Sequence, residues 1–144
     1  YTDACITVPV GRVSAEATHL LEVTKQALDA AVNVIKAGCR VGDISSAIEK
    51  TAKAGRCTPV YSLTGHGLAR TLHAEPDIPN SGRAGTGPIL PAGTVIAVEP
   101  ILALGGPVVR DAGDGWTICT DDGSLSAHFE HTILVTEGGC EVLA

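Results

Sequence analysis

The sequence predicts a mixed α/β (α+β) domain with mostly antiparallel strands, on three observations. Two early stretches repeat apolar residues at helical steps, the chain from Cys57 onward breaks into short β-type runs, and the links between those runs are too short for crossover helices. A chain of 144 residues buries roughly 70% of the surface its unfolded form exposes, which supports one core. Residues 1–144 are therefore read as a single domain.

Tyr1-Thr2-Asp3-Ala4-Cys5-Ile6-Thr7-Val8 reads as a strand already under way, and a start in mid-strand is what a piece of something longer would show. Ser14 is placed to cap a helix running to about Ala37, because Leu20, Leu21, Thr24, Leu28, Ala31, Val32 and Ile35 recur at helical spacing before Gly38. A second helix is expected after Asp43 as N-cap, with Ile44, Ala47, Ile48, Thr51 and Ala52 on one face and Gly55 as its stop. Strand runs follow at 94–98, 108–109, 116–120 and 128–136, joined by turns such as Gly105-Gly106-Pro107. Residues 77–91, with three Pro and three Gly, read as a long surface loop.

Ten Lys plus Arg against sixteen Asp plus Glu give a net charge of −6, which argues against nucleic acid and membrane surfaces as partners. A 44% apolar share excludes a disordered chain, and no apolar run approaches the ~18 residues of a membrane span. With aromatics at 3%, the core must be built from Val, Ile, Leu and Ala. The five cysteines, at 5, 39, 57, 119 and 140, include no C-x-x-C pair and read as small buried hydrophobes of a reducing compartment. The opening residues carry no signal-peptide pattern, and a cytoplasmic location is expected.

Glu99 closes the run Thr94-Val95-Ile96-Ala97-Val98 and precedes Pro100-Ile101-Leu102, so an apolar strand delivers a carboxylate. Either it points to water from an edge strand, or it is a metal ligand or catalytic acid, since burying it unpaired is costly. Glu130 repeats the pattern in Ala127-His128-Phe129-Glu130-His131-Thr132-Ile133-Leu134-Val135, sharing a face with His128, Thr132 and Leu134. His66 lies between glycines in Gly65-His66-Gly67, where the backbone can come close to a ligand. His73 follows at a spacing that excludes the helical H-E-x-x-H zinc site. Either histidine alone reads as a satisfied core residue; two of them upstream of two glutamates point to a site. Asp3 completes a set of three carboxylates and one imidazole with His66, Glu99 and Glu130, suited to Mn²⁺, Fe²⁺, Co²⁺ or Zn²⁺.

Three motifs in order, Gly65-His66-Gly67-Leu68-Ala69-Arg70-Thr71-Leu72-His73-Ala74-Glu75-Pro76, then Val98-Glu99-Pro100, then Ser124-Leu125-Ser126-Ala127-His128-Phe129-Glu130-His131-Thr132, resemble the methionine aminopeptidases of the pita-bread (creatinase/aminopeptidase) fold. Asp114-Gly115-Trp116-Thr117 and the closing Thr136-Glu137-Gly138-Gly139-Cys140-Glu141-Val142-Leu143 fit as well, so the likeness extends over nearly the whole chain. The Glu130-His131-Thr132 ending is nearer to that family than to the proline-directed peptidases sharing the fold.

The resemblance implies a curved, mostly antiparallel sheet with helices on its outer face, of which this chain holds about half, the C-terminal half of the catalytic domain. The missing N-terminal half of the same fold is then its partner. Two divalent ions (Mn, Co, Fe or Zn) are implied, held by two aspartates, one histidine and two glutamates. This chain offers Asp3, His66, Glu99 and Glu130, and the other aspartate falls before Tyr1. By the same resemblance His66 and Glu99 hold one ion, with Asp3 and Glu130 bridging to its neighbour, so one site is complete here. Glu99 also accepts the water proton, His73 hydrogen-bonds the scissile peptide, and Trp116 with Leu72 belongs to the substrate pocket. Leu72 stands where relatives often carry Phe, and Ala69 where Gly is common, which leaves the pocket's shape open.

The activity implied is removal of the N-terminal methionine from nascent polypeptides in the cytoplasm, with the ribosome as a further candidate partner. The rivals are a proline-specific peptidase of the same fold and a non-catalytic module that binds peptides or proteins.

Overall fold

A computed structural model describes residues 1–144. Helix α1 spans Ala15–Val32, and Ser14 caps it as expected, its hydroxyl accepting the Ala17 N–H at 3.1 Å. The helix stops at Val32 instead of continuing to Ala37. Val34 and Ile35 donate to the carbonyls three residues back, tightening the chain into a turn, and Gly38 then takes a left-handed φ of 85°. Ile35 stays buried, which is why the apolar spacing runs past the end of the helix.

Helix α2 spans Val41–Ala54, and its N-cap is Arg40, not Asp43. Asp43 sits inside the first turn and reaches backward, its carboxylate accepting the Arg40 N–H at 2.8 Å and the Gly85 N–H at 2.7 Å. Those bonds hold its carboxyl below the usual range. Gly55 ends the helix as expected.

The strands are β1 (Thr58–Pro59), β2 (Thr64–Gly67), β3 (Ala74–Pro79), β4 (Val95–Val98), β5 (Ile101–Ala103), β6 (Val109–Asp111), β7 (Ile118–Thr120), β8 (Ser126–His128), β9 (His131–Thr136) and β10 (Gly139–Val142). They form a five-stranded sheet ordered β10-β9-β4-β2-β3, a three-stranded sheet β1-β5-β8 and a β6-β7 ribbon. Every pairing is antiparallel, in agreement with the short links. The two helices pack on each other, and Leu20, Ala27, Ile44 and Ile48 join Ile96, Val98, Ile133 and Val135 of the sheet in one core. Each fully buried Leu, Ile or Val contributes roughly 1.5–3 kcal/mol. No helix is long and apolar enough to cross a membrane.

Three local expectations need correction. The opening octet is not a ladder strand: Cys5 forms a single antiparallel bridge with Glu130. Residues 3, 5 and 7 are nonetheless half-buried while 2, 4, 6 and 8 are exposed, so the segment keeps a strand's alternation. The stretch 77–91 is not wholly loop, since β3 takes in Asp77 to Pro79, and Ile78, Asn80 and Leu90 are buried. The run 128–136 is broken, β8 ending at His128 and β9 beginning at His131. Of the cysteines, all free, Cys39 and Cys57 are buried and the other three half-buried.

Candidate metal centre

β2 lies between β3 and β4, with His66 opposite Ala97 and Gly67 opposite Ile96 on one side. A Cβ at position 65 would collide with the Ala97 carbonyl oxygen, and one at 67 with that of Glu75. Glycine is required on both flanks because the neighbouring backbones are too close for anything else. His66 itself is only 5% exposed. Its Nδ1 lies 2.9 Å from the Gly67 carbonyl oxygen, which can only accept, so in the neutral ring Nδ1 carries the proton and Nε2 presents a lone pair.

That lone pair is 3.6 Å from Glu99 Oε1. Glu99 stands immediately after β4, ahead of Pro100, and its side chain is 13% exposed. Glu130 lies in the break between β8 and β9, where it exchanges backbone hydrogen bonds with Cys5, and its side chain is 4% exposed. The same bridge carries Asp3 inward. Ligand-capable atoms of Asp3, His66 and Glu130 all fall within 4.8 Å of one another. Three of the four expected donors thus form one cluster, and Glu99 adjoins it through His66.

Burial, then the charges of Glu130 and Asp3, pushes Glu99 up to about 8; burial, then Asp3, pushes Glu130 up to about 7. Like charges crowded out of water resist ionising together. Glu130 Oε1 and His128 Nε2 are buried with no hydrogen-bond partner. A divalent cation would answer all three features at once, since it neutralises the carboxylates, takes the free imidazole lone pair and occupies the orphaned atoms. Carboxylate oxygens with imidazole nitrogen suit Mn²⁺, Fe²⁺, Co²⁺ or Zn²⁺.

His73 is exposed on the loop before β3, its ring edge-on to His66 at a centroid distance of 4.3 Å. Leu72, 38% exposed, precedes it, whereas Trp116 is 89% exposed near the tip of the β6-β7 ribbon. The lone Trp is therefore not a core residue. Two residues that the sequence placed only on the strand face of Glu130, without a role, also belong to the centre's surroundings. His128 places Nε2 3.4 Å from Glu99 Oε2 and 3.8 Å from Glu130 Oε2, and burial pushes its pKa down against the pull of Asp3. Thr132, wholly buried, hydrogen-bonds the Asp3 backbone. Both lie two positions from Glu130, and that alternate-residue spacing was the signal available. A surface hollow of about 1380 Å³ is lined by Asn33, Cys39, Asp43, Lys50 and Cys140 among others and by none of these donors.

An antiparallel sheet that gathers carboxylates and imidazole onto one buried point makes a candidate divalent-metal centre. The profile of metallopeptidase family M24 matches residues 1–137, and the chain belongs to that family. A methionine aminopeptidase of Treponema pallidum (strain Nichols) is 45% identical over 143 residues, covering 99% of this chain and 56% of that protein. The crystal structure of methionine aminopeptidase from Thermotoga maritima superposes with a TM-score of 0.97 at 43% identity, covering 99% of this chain and 57% of that one. The pita-bread architecture follows from these matches. Prolidase from Pyrococcus furiosus, at 22% identity and a TM-score of 0.74 over 99% of this chain and 36% of its own, shares the fold alone. The chain spans about half the length of the curated relatives it matches.

Proposed function

We propose that this protein is a metal-dependent aminopeptidase that removes the N-terminal methionine from newly made polypeptides. The observation that carries the reading is the convergence of Asp3, His66 and Glu130 within 4.8 Å, with Glu99 Oε1 beside the His66 lone pair. The methionine aminopeptidases of Treponema pallidum and Thermotoga maritima, similar over nearly all of this chain, support the choice of substrate. Because the chain spans only about half of such relatives, a further segment of the same fold is part of the proposal, adding a carboxylate to the centre.

Asp3, His66, Glu99 and Glu130 hold the divalent ions, Mn, Co, Fe or Zn. A cation bound there would polarise the scissile carbonyl and acidify water. Glu99 is the proton acceptor, its carboxylate standing beside His66 where a cation would activate water. His73, on the exposed side of His66, donates a hydrogen bond to the substrate at the scissile peptide. Leu72 and Trp116 contact the methionine side chain. The amino terminus of a chain leaving the ribosome is the natural substrate, and five free cysteines fit a reducing cytoplasm.

The test is calorimetric and kinetic. Titration with Mn²⁺ or Co²⁺ is expected to show binding that His66→Ala removes, and a Met-Ala peptide is expected to be cut in preference to an Xaa-Pro peptide. Metal binding indifferent to His66→Ala, or preference for Xaa-Pro, would refute it.

A further inference from the structure

His128 is absent from the ligand set proposed above, yet it stands closer to Glu99 than His66 does. The two oxygens of Glu99 face different imidazoles: Oε1 is 3.6 Å from His66 Nε2, and Oε2 is 3.4 Å from His128 Nε2. Glu130 Oε2 lies 3.8 Å from the same His128 nitrogen. None of these is a made hydrogen bond, for His128 Nε2 is buried and unpartnered, and a charge-assisted bond between such groups closes to about 2.7–2.9 Å. Two donor atoms each about 2.1 Å from one ion stand roughly 3.0–3.4 Å apart at octahedral or tetrahedral angles; the His128–Glu99 spacing of 3.4 Å meets this, and the 3.6 and 3.8 Å spacings exceed it by a few tenths of an ångström.

We infer that His128 is a further metal ligand, so that Glu99 lies between two imidazoles that share its cation. The backbone supports this placement. Thr7 Oγ1 donates to the His128 carbonyl at 2.8 Å and accepts the His128 N–H at 3.0 Å, so the residue is fixed by the segment that also delivers Asp3. A second imidazole shifts a carboxylate-rich centre away from Mn²⁺ and towards Zn²⁺, Co²⁺ or Fe²⁺, which accept nitrogen more readily. The inference rests on the metal centre proposed above.

X-ray absorption of the protein loaded with one equivalent of Zn²⁺ is the test, read through the outer-shell scattering of imidazole rings. The wild type is expected to show two imidazoles and His128→Gln one, with Zn²⁺ affinity falling about tenfold or more in the variant and Mn²⁺ affinity by less. One imidazole in the wild type overturns the inference, and so does unchanged Zn²⁺ affinity in His128→Gln. The wild-type count needs no substitution, so a misfolded variant does not blur the result. Zn²⁺ binding that ignores His66→Ala would instead overturn the centre itself, whereas His66-dependent binding with a single imidazole removes only the part assigned to His128.

Discussion

Thr132 holds Asp3 by its backbone from both sides: the hydroxyl accepts the Asp3 N–H at 2.8 Å and donates to the Asp3 carbonyl at 2.6 Å. One side chain thereby does what a pair of ladder hydrogen bonds would do, and it fixes where the Asp3 carboxylate can reach. Thr132→Val keeps the shape and removes both bonds. Leaving the half-buried Asp3 N–H and C=O without partners is expected to cost about 1–3 kcal/mol and to weaken cation binding, while Thr132→Ser retains both. Denaturant midpoints and metal titrations of the two variants check this; equal behaviour of Val and Ser would contradict it.

The close backbones around β2 give a second expectation. Gly65→Ala forces a methyl into the Ala97 carbonyl oxygen, so the strand must shift and carry His66 with it. A loss of about 1–3 kcal/mol is expected, as for overpacking elsewhere. Chemical denaturation measures it, and a neutral substitution would mean the sheet can open at this point.

The acid–base behaviour of the cluster sets a third. Glu99 is held near 8 and Glu130 near 7 in the folded chain, against about 4.3 for an unperturbed glutamate. A group that keeps its proton better when folded stabilises the fold below its unfolded pKa, and that contribution is lost as pH rises through the folded value. The metal-free protein is therefore expected to lose stability from roughly pH 4.5 to pH 8 on account of these two groups. Glu99→Gln should reduce the slope in thermal melts of chelator-treated protein; an identical slope in the variant counts against the assignment. The same protons must leave before a cation binds, so affinity should climb across the upper part of that window.

His73 supplies the fourth. It touches the His66 ring yet lies on the exposed side, so its loss should spare cation binding. His73→Ala is expected to lower kcat about 10²-fold or more with metal affinity nearly unchanged. Parallel losses of both would make His73 a support for His66 and remove its role towards substrate.

What could be read from the sequence was what local chemistry fixes. Ser14 and Gly55 mark helix ends because capping needs only neighbours, and Gly65-His66-Gly67 stood out because two glycines around a histidine imply crowded backbone. The end of α1 was overrun because Ile35 is buried by tertiary packing after the helix has stopped, and burial imitates periodicity. Asp43 resembled a cap because a carboxylate that bonds backward from the first turn has the same composition signature. The spacing from Glu130 puts His128 on the same face, but that it faces Glu99 depends on the pairing of β5 with β8, which no short-range pattern encodes.

The opening segment is stitched down at alternate residues, through Asp3 to Thr132, Cys5 to Glu130 and Thr7 to His128, while Ile6, Val8 and Val10 stay exposed. It has little apolar grip of its own. An ion shared by Asp3 and Glu130 would act as a clasp between the two ends of the chain, and its binding energy would add to the segment's hold on the sheet. Stripping that ion would loosen this tether ahead of the helical core, so protease cleavage within the first ten residues becomes a gauge of whether the centre is filled.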